Sequence, residues 1–108
     1  MAKQTRIDKN EICLILRYKQ LLKEKGIKIS KLIIFGSYAK GTAMSDSDID
    51  LAVISSQFGK DKIKEMMLLR KLAIKIDSHI EPIPFSPQDL KDRYSTLANE
   101  INKFGMVV

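Results

Sequence analysis

Two short stretches hold the residue types for phosphate and cation chemistry: Gly36-Ser37-Tyr38-Ala39-Lys40-Gly41 and, five residues later, Ser47-Asp48-Ile49-Asp50-Leu51. Gly36-Ser37 ends a short apolar run abruptly, so a turn is expected there, and a helix begun at Ser37 would present unbonded backbone N–H groups and a hydroxyl to an anion. Gly36 would let a phosphate approach the backbone closely. In an extended segment Asp48 and Asp50 share one face, while Ile49, Leu51 and Val53 share the other. Two adjacent carboxylates repel unless a cation sits between them, and oxygen ligands of this kind suit Mg²⁺ carrying substrate phosphates. Cradle and metal pair would therefore converge on one triphosphate. Each half alone reads as an ordinary turn or a polar loop; the two together between apolar strands do not. The P-loop alternative fails, because Lys40-Gly41-Thr42 places its lysine before the glycine and lacks the required spacing.

Gly36-Ser37, Gly41 and Ser47-Asp48-x-Asp50 at this spacing resemble the signature of the DNA polymerase beta-like nucleotidyltransferase superfamily, and more narrowly its minimal nucleotidyltransferases, which include the MNT partners of HEPN proteins. The resemblance implies a nucleotidyltransferase palm-like fold, two Mg²⁺ ions held by Asp48 and Asp50 about 3.5–4 Å apart, and ATP as substrate. It implies that Gly36 and Ser37, with Lys40, hold the β and γ phosphates. The family commonly adds a third carboxylate on a later strand. Aligned strand with strand, that role falls on Glu81, as catalytic base or metal ligand, although the family more often uses Asp there and Asp77 is the alternative. The resemblance further implies transfer of AMP to a tyrosine of a HEPN-type helical partner, neutralising it as a toxin. The competing readings are transfer to a small hydroxyl compound and a non-catalytic antitoxin that masks its toxin by contact.

These groups need a scaffold, and the chain supplies alternating helical and extended patterns. Asp8 and Glu11 resemble a capping box, and Ile12, Ile15, Leu16 and Leu22 recur at helical spacing, which predicts a helix over residues 9–25. Lys31–Phe35 reads as a buried strand, residues 48–54 as the carboxylate strand, and 61–76 as a second long helix. In that helix Ile63, Met66, Met67, Leu69, Ala73 and Ile74 form a broad stripe, with the Met pair read as core. Residues 75–85 are β-branched and carry two prolines, which suggests an edge strand. Asp77, His79 and Glu81 would share a face if all are extended, so parity does not separate them. The lone His79 is read as a packed or surface residue, since such histidines seldom act as catalysts. Ser86, Pro87 and Asp89 open a last helix, along which Leu90, Tyr94, Leu97, Ile101 and Phe104 form a heptad stripe that either packs on the sheet, the favoured reading, or offers a partner helix a grip, with Gly105 as its stop. The expected class is α/β (α+β): a small mixed β-sheet with helices packed on it, in a single domain spanning 1–108.

Composition bounds the partners. The 108 residues are 44% hydrophobic, enough for one core. The lone Cys13 cannot form an internal disulfide and is expected as a small buried hydrophobe in a reducing cytoplasm. No run approaches a membrane span, and no apolar signal core follows the polar start. The net charge of +6 comes from scattered lysines on polar helix faces, and there is no Trp to stack bases, so direct nucleic-acid binding is not expected. After the predicted core only one helix remains, which points to an acceptor site completed by another chain; the oligomeric state stays open.

Overall fold

The computed structural model describes residues 9–44 and 47–108. In chain order these form α1 (Lys9–Glu24), β1 (Lys31–Phe35), α2 (Ser37–Lys40), β2 (Ile49–Ile54), α3 (Lys62–Ile74), β3 (Ile80–Phe85), α4 (Pro87–Leu90), α5 (Thr96–Phe104) and β4 (Met106–Val107). The four strands make one mixed sheet in the order β3-β2-β1-β4. β1 and β2 pair antiparallel, with Phe35 opposite Asp50 and Lys31 opposite Ile54. β3 lies parallel to β2, reached through α3 as its crossover helix, with Glu81 opposite Asp50. Asp8 of the expected capping box lies outside the described residues.

Both faces of the sheet are covered, which is why its strands read as nearly continuous apolar runs. On one face Leu32, Ile34, Ile49, Leu51 and Val53 pack with Ile15, Tyr18 and Leu22 of α1 and Leu69, Leu72 and Ala73 of α3. On the other, Ile33, Phe35, Ala52, Ile54 and Phe85 pack with Ile101 of α5, flanked by Leu90 and Leu97. The fully buried Tyr18 hydroxyl donates to the Leu69 carbonyl at 2.8 Å and ties the two long helices together. The edge position expected for β3 is observed. The carbonyls of His79 and Phe85 accept from β2-side N–H groups, so by the two-residue period Pro82 and Pro84 turn their missing donors outward.

Several helical expectations are corrected. The last helix is interrupted: α4 is one turn, opened as expected by Ser86 as N-cap and Pro87 in its first turn, with the Asp89 side chain accepting from the Ser86 N–H to complete a capping box. Asp92 then accepts from the Tyr94 N–H, and Ser95 caps α5 by accepting from the Ala98 N–H. These local side-chain bonds compete with the helix and win, leaving Tyr94 94% exposed instead of in the stripe. Cys13 is exposed, because the buried face of α1 is Ile15, Tyr18 and Leu22 and Cys13 points away from it. The Met pair is not core: Met67 is 65% exposed and Met66 only half-buried, the inward face of α3 being Leu69, Leu72 and Ala73. Gly105 does end α5, but in an extended conformation. A Cβ there would collide with the Ile101 carbonyl and the Ile33 side chain. β4, too short to carry a period, then pairs with β1.

Among the described residues, no helix is long and apolar enough to cross a membrane.

Candidate active site

β1 delivers the chain to Gly36, whose φ of 72° and ψ of −147° fall where only glycine is comfortable. α2 follows as a single turn, closed by Gly41 in the left-handed region. The Gly36 carbonyl accepts from the Lys40 N–H, and the Ser37 carbonyl from the Thr42 N–H. The Ser37 hydroxyl makes no hydrogen bond among the described residues. The glycine does more than clear room for a ligand: a Cβ at Gly36 would overlap the Asp50 carboxylate. The glycine-led turn and the Asp50 carboxylate are thus pressed together at the end of β1.

Asp50 faces the α5 side of the sheet, in line with Ala52 and Ile54, and Glu81 sits beside it in the parallel register, in line with Ile83 and Phe85. Burial pushes the Asp50 carboxyl above its ordinary range, and the charges of Glu81, Asp48 and Glu100 push it further in the same direction. Asp48 is exposed, just before β2. Carboxylates clustered around one whose proton affinity they raise are a donor set suited to a hard divalent cation, which would relieve the repulsion on Asp50. Among the described residues, no three metal-ligating side chains are drawn together into a ready-made cage. Substrate phosphates and water would complete any coordination begun by Asp48 and Asp50.

The remaining expected residues separate. Glu81 carries an ion pair with Arg70 of α3, Oε1 to Nη2 at 3.5 Å. Lys40 turns toward α5, 3.4 Å from Glu100 and 5.5 Å from the centre of the Phe104 ring. Asp77 and His79 pair with each other, Oδ1 to Nδ1 at 3.0 Å. Hydrogen bonds from the His79 backbone and ring hold the Asp77 carboxyl below its ordinary range. They line a small cavity with Tyr38 and Ile49, and Ile49 belongs to the face opposite Asp50. Register and face therefore put Glu81, not Asp77, next to Asp50. Arg70 and Glu100 escape sequence reasoning because both read as polar helix positions. The short connection from α3 to β3 is the signal that could have placed Arg70 beside the start of β3.

A mixed sheet with one crossover helix, a glycine-led turn after its first strand and a carboxylate pair opening the next define a nucleotidyltransferase-type fold and site. The comparison with known families agrees: the Polbeta family (Polymerase beta, Nucleotidyltransferase) matches residues 17–108, and the chain belongs to it. The relatives found by sequence include two from different organisms. A Methanocaldococcus jannaschii protein provisionally named a protein adenylyltransferase is 37% identical over 78 residues, covering 68% of this chain and 53% of its own. The protein adenylyltransferase MntA of Shewanella oneidensis is 32% identical over 82 residues, covering 76% of this chain and 55% of its own. The chain thus spans about half the length of these relatives. Among solved structures, a chain of a toxin–antitoxin complex with AMP-PNP superposes with a TM-score of 0.61 at 28% identity, covering 88% of this chain and 69% of that one. A complex of tri-AMPylated S. oneidensis HEPN toxin with MNT antitoxin shares the fold, with a TM-score of 0.59 at 24% identity over 89% of this chain and 69% of that one.

Proposed function

We propose that the chain transfers AMP from ATP to a hydroxyl of a partner protein, a tyrosine of a HEPN-type toxin, and acts as its antitoxin in the cytoplasm. The observation that carries this reading is the convergence on Asp50: Gly36 packed against its carboxylate, Glu81 in register beside it and Asp48 two residues before it. The Ser37 hydroxyl and the first N–H groups of α2 bind the triphosphate, while Asp48 and Asp50 hold Mg²⁺. Bound there, Mg²⁺ supplies charge neutralisation and Lewis-acid polarisation of the phosphate oxygens. Glu81 stands where it can take the acceptor's proton as the acceptor oxygen bonds to the α phosphorus and the bond to the β-phosphate oxygen breaks. Pyrophosphate leaves. Arg70, paired with Glu81, orients that carboxylate on the acceptor side.

A protein acceptor is favoured over a small compound by the surface of α3. Ile63, Met67 and Ile74 are 75%, 65% and 70% exposed and fall on one stripe with Arg70. That stripe runs to a cavity of about 160 Å³ beside Glu81, lined by Arg70 and Ile74. Large apolar side chains left in water beside a reaction centre suit a macromolecular partner. The test incubates the chain with ATP, Mg²⁺ and a co-expressed HEPN-type protein encoded beside it, followed by intact-mass measurement of both. A mass gain of AMP on the partner, absent in the Asp48→Ala, Asp50→Ala variant, is the expected result. A stable complex with no mass change, unaffected by the double substitution, would make the chain a binding antitoxin only.

A further inference from the structure

A cavity of about 730 Å³ lies away from the carboxylates. It opens at the other end of the sheet, where Lys31 begins β1 opposite Ile54, some four residues or about 13 Å along the strand from Phe35 and Asp50. Its volume falls in the range of small-molecule sites. Ile54, Pro87 and Leu90 give it an apolar wall, and Lys31, Lys91 and Arg93 surround it with cations. None of the three forms an ion pair among the described residues, while Asp92 is the one acid in the lining.

The interruption between α4 and α5 builds this rim. Had the heptad stripe continued as one helix, residues 91–95 would have been wound into it. Instead the Leu90 carbonyl accepts from Asn102 Nδ2 at 2.7 Å, and the Arg93 carbonyl from Asn99 Nδ2 at 3.0 Å. Ser95 and Asp92 fix the turn between them. Two α5 carboxamides therefore fasten the segment that carries Lys91 and Arg93, and both carboxamides line the cavity. The backbone that carries two of the cations is held in place, and none of the three is ion-paired with Asp92. Three positive charges against one negative match a dianion, and the apolar wall and volume call for more than a bare ion.

We infer that this cavity is a second binding site, for a phosphate monoester with an organic body of about nucleotide size, separate from the triphosphate cradle. Phosphate oxygens meet Lys31, Lys91 and Arg93, and the organic body lies along Ile54 and Leu90. The site is independent of the proposed AMP transfer, since it shares no lining residue with Gly36, Ser37, Asp48, Asp50 or Glu81.

The test titrates the isotopically labelled chain with AMP, glucose 6-phosphate and inorganic phosphate in turn, and follows backbone amide shifts. Saturable shifts clustered at residues 30–31 and 90–102, with a Kd below about 1 mM for at least one monoester and weaker binding of inorganic phosphate, are expected. Response to AMP alone identifies a nucleotide site; response to both monoesters identifies a general phosphoester site. Lys91→Gln and Arg93→Gln should each weaken binding about tenfold, as loss of a charge-assisted hydrogen bond does. Asp50→Asn should leave it unchanged. Both cationic positions are exposed, so retained spectral dispersion certifies the variants' fold. Shifts confined to residues 36–50, shifts from inorganic phosphate as strong as from the monoesters, or none from any of the three overturn the inference.

Discussion

Replacing Gly36 by alanine tests whether cradle and carboxylate form one unit. Two separate costs arise. The backbone at φ 72° and ψ −147° is one that only glycine adopts freely, which costs a side-chain-bearing residue about 1–3 kcal/mol. The added methyl also overlaps the Asp50 carboxylate, and forcing an atom into a filled space costs about 1–3 kcal/mol more. The sum, about 2–6 kcal/mol, is a large part of a small domain's stability. It lowers Tm by at least about 8 °C, since each kcal/mol moves a domain of this size by about 4–8 °C. Gly26→Ala separates the terms. Gly26 has φ 82° with nothing within 4 Å of its built Cβ, so that variant carries backbone strain alone, about 1–2 kcal/mol. Asp50→Ala combined with Gly36→Ala removes the overlap and should recover about 1–3 kcal/mol of the single variant's loss, a coupling read from a double-mutant cycle. AMP transfer by Gly36→Ala should fall about a hundredfold or more, because the carboxylate is displaced from the phosphates. The assay pairs thermal unfolding with pyrophosphate release. Strictly additive substitutions, or a Gly36→Ala protein with unchanged Tm and turnover, would refute the reasoning.

Four further outcomes are expected. Asp50→Asn should be more stable than the parent near neutral pH: the native Asp50 carboxyl binds its proton more tightly than the unfolded one, so stability falls as pH rises from the ordinary carboxylate pKa through the raised native value. Denaturant titrations from acid to neutral pH should show that fall in the parent only, and added Mg²⁺ should narrow the difference. Glu81→Gln should keep nucleotide affinity but slow turnover, separable by ATP titration against single-turnover transfer, because the role proposed for this carboxylate, paired with Arg70, is toward the acceptor and not the triphosphate. Tyr18→Phe should lose about 1 kcal/mol for the buried bond to Leu69, seen as a lower denaturation midpoint with unchanged activity per folded molecule. Met67→Lys with Ile74→Lys, at exposed positions, should change stability by no more than about 0.5 kcal/mol per site yet sharply reduce transfer to the protein partner, with ATP binding intact.

The strands and the motif were legible in the sequence for one reason: both are local. Leu32 to Phe35 are apolar and buried because the strand is covered on both faces, and the Asp48-x-Asp50 alternation reports the strand period directly. What escaped depends on competition between local and distant interactions. The heptad from Leu90 to Phe104 predicts one helix, but Asp92 and Ser95 offer their side chains to nearby N–H groups and break it. The apolar positions of α1 and α3 were visible, but not which of them face the sheet. Ile12, Leu16, Ile63, Met67 and Ile74 match the buried residues in type and differ only in angle around the helix.

The site divides along the same line. Asp77, His79 and Glu81 have equal claim by parity, and only the register against β2 and the face of Ile49 separate them. Register is a property of two strands, so it is absent from either one read alone. It fixes more than which carboxylate lies beside Asp50. Because β2 and β3 are parallel and start together, Asp50 and Glu81 lie at one end of the sheet, and α3 returns beside them at the sheet's open edge. The prolines of β3 deny that edge to another strand. The protein acceptor proposed above, approaching Glu81, would therefore be read by side chains, those of α3, rather than by backbone pairing. An engineered Pro84→Val edge that recruited strand pairing without disturbing AMP transfer to the partner would show that the acceptor arrives by another route.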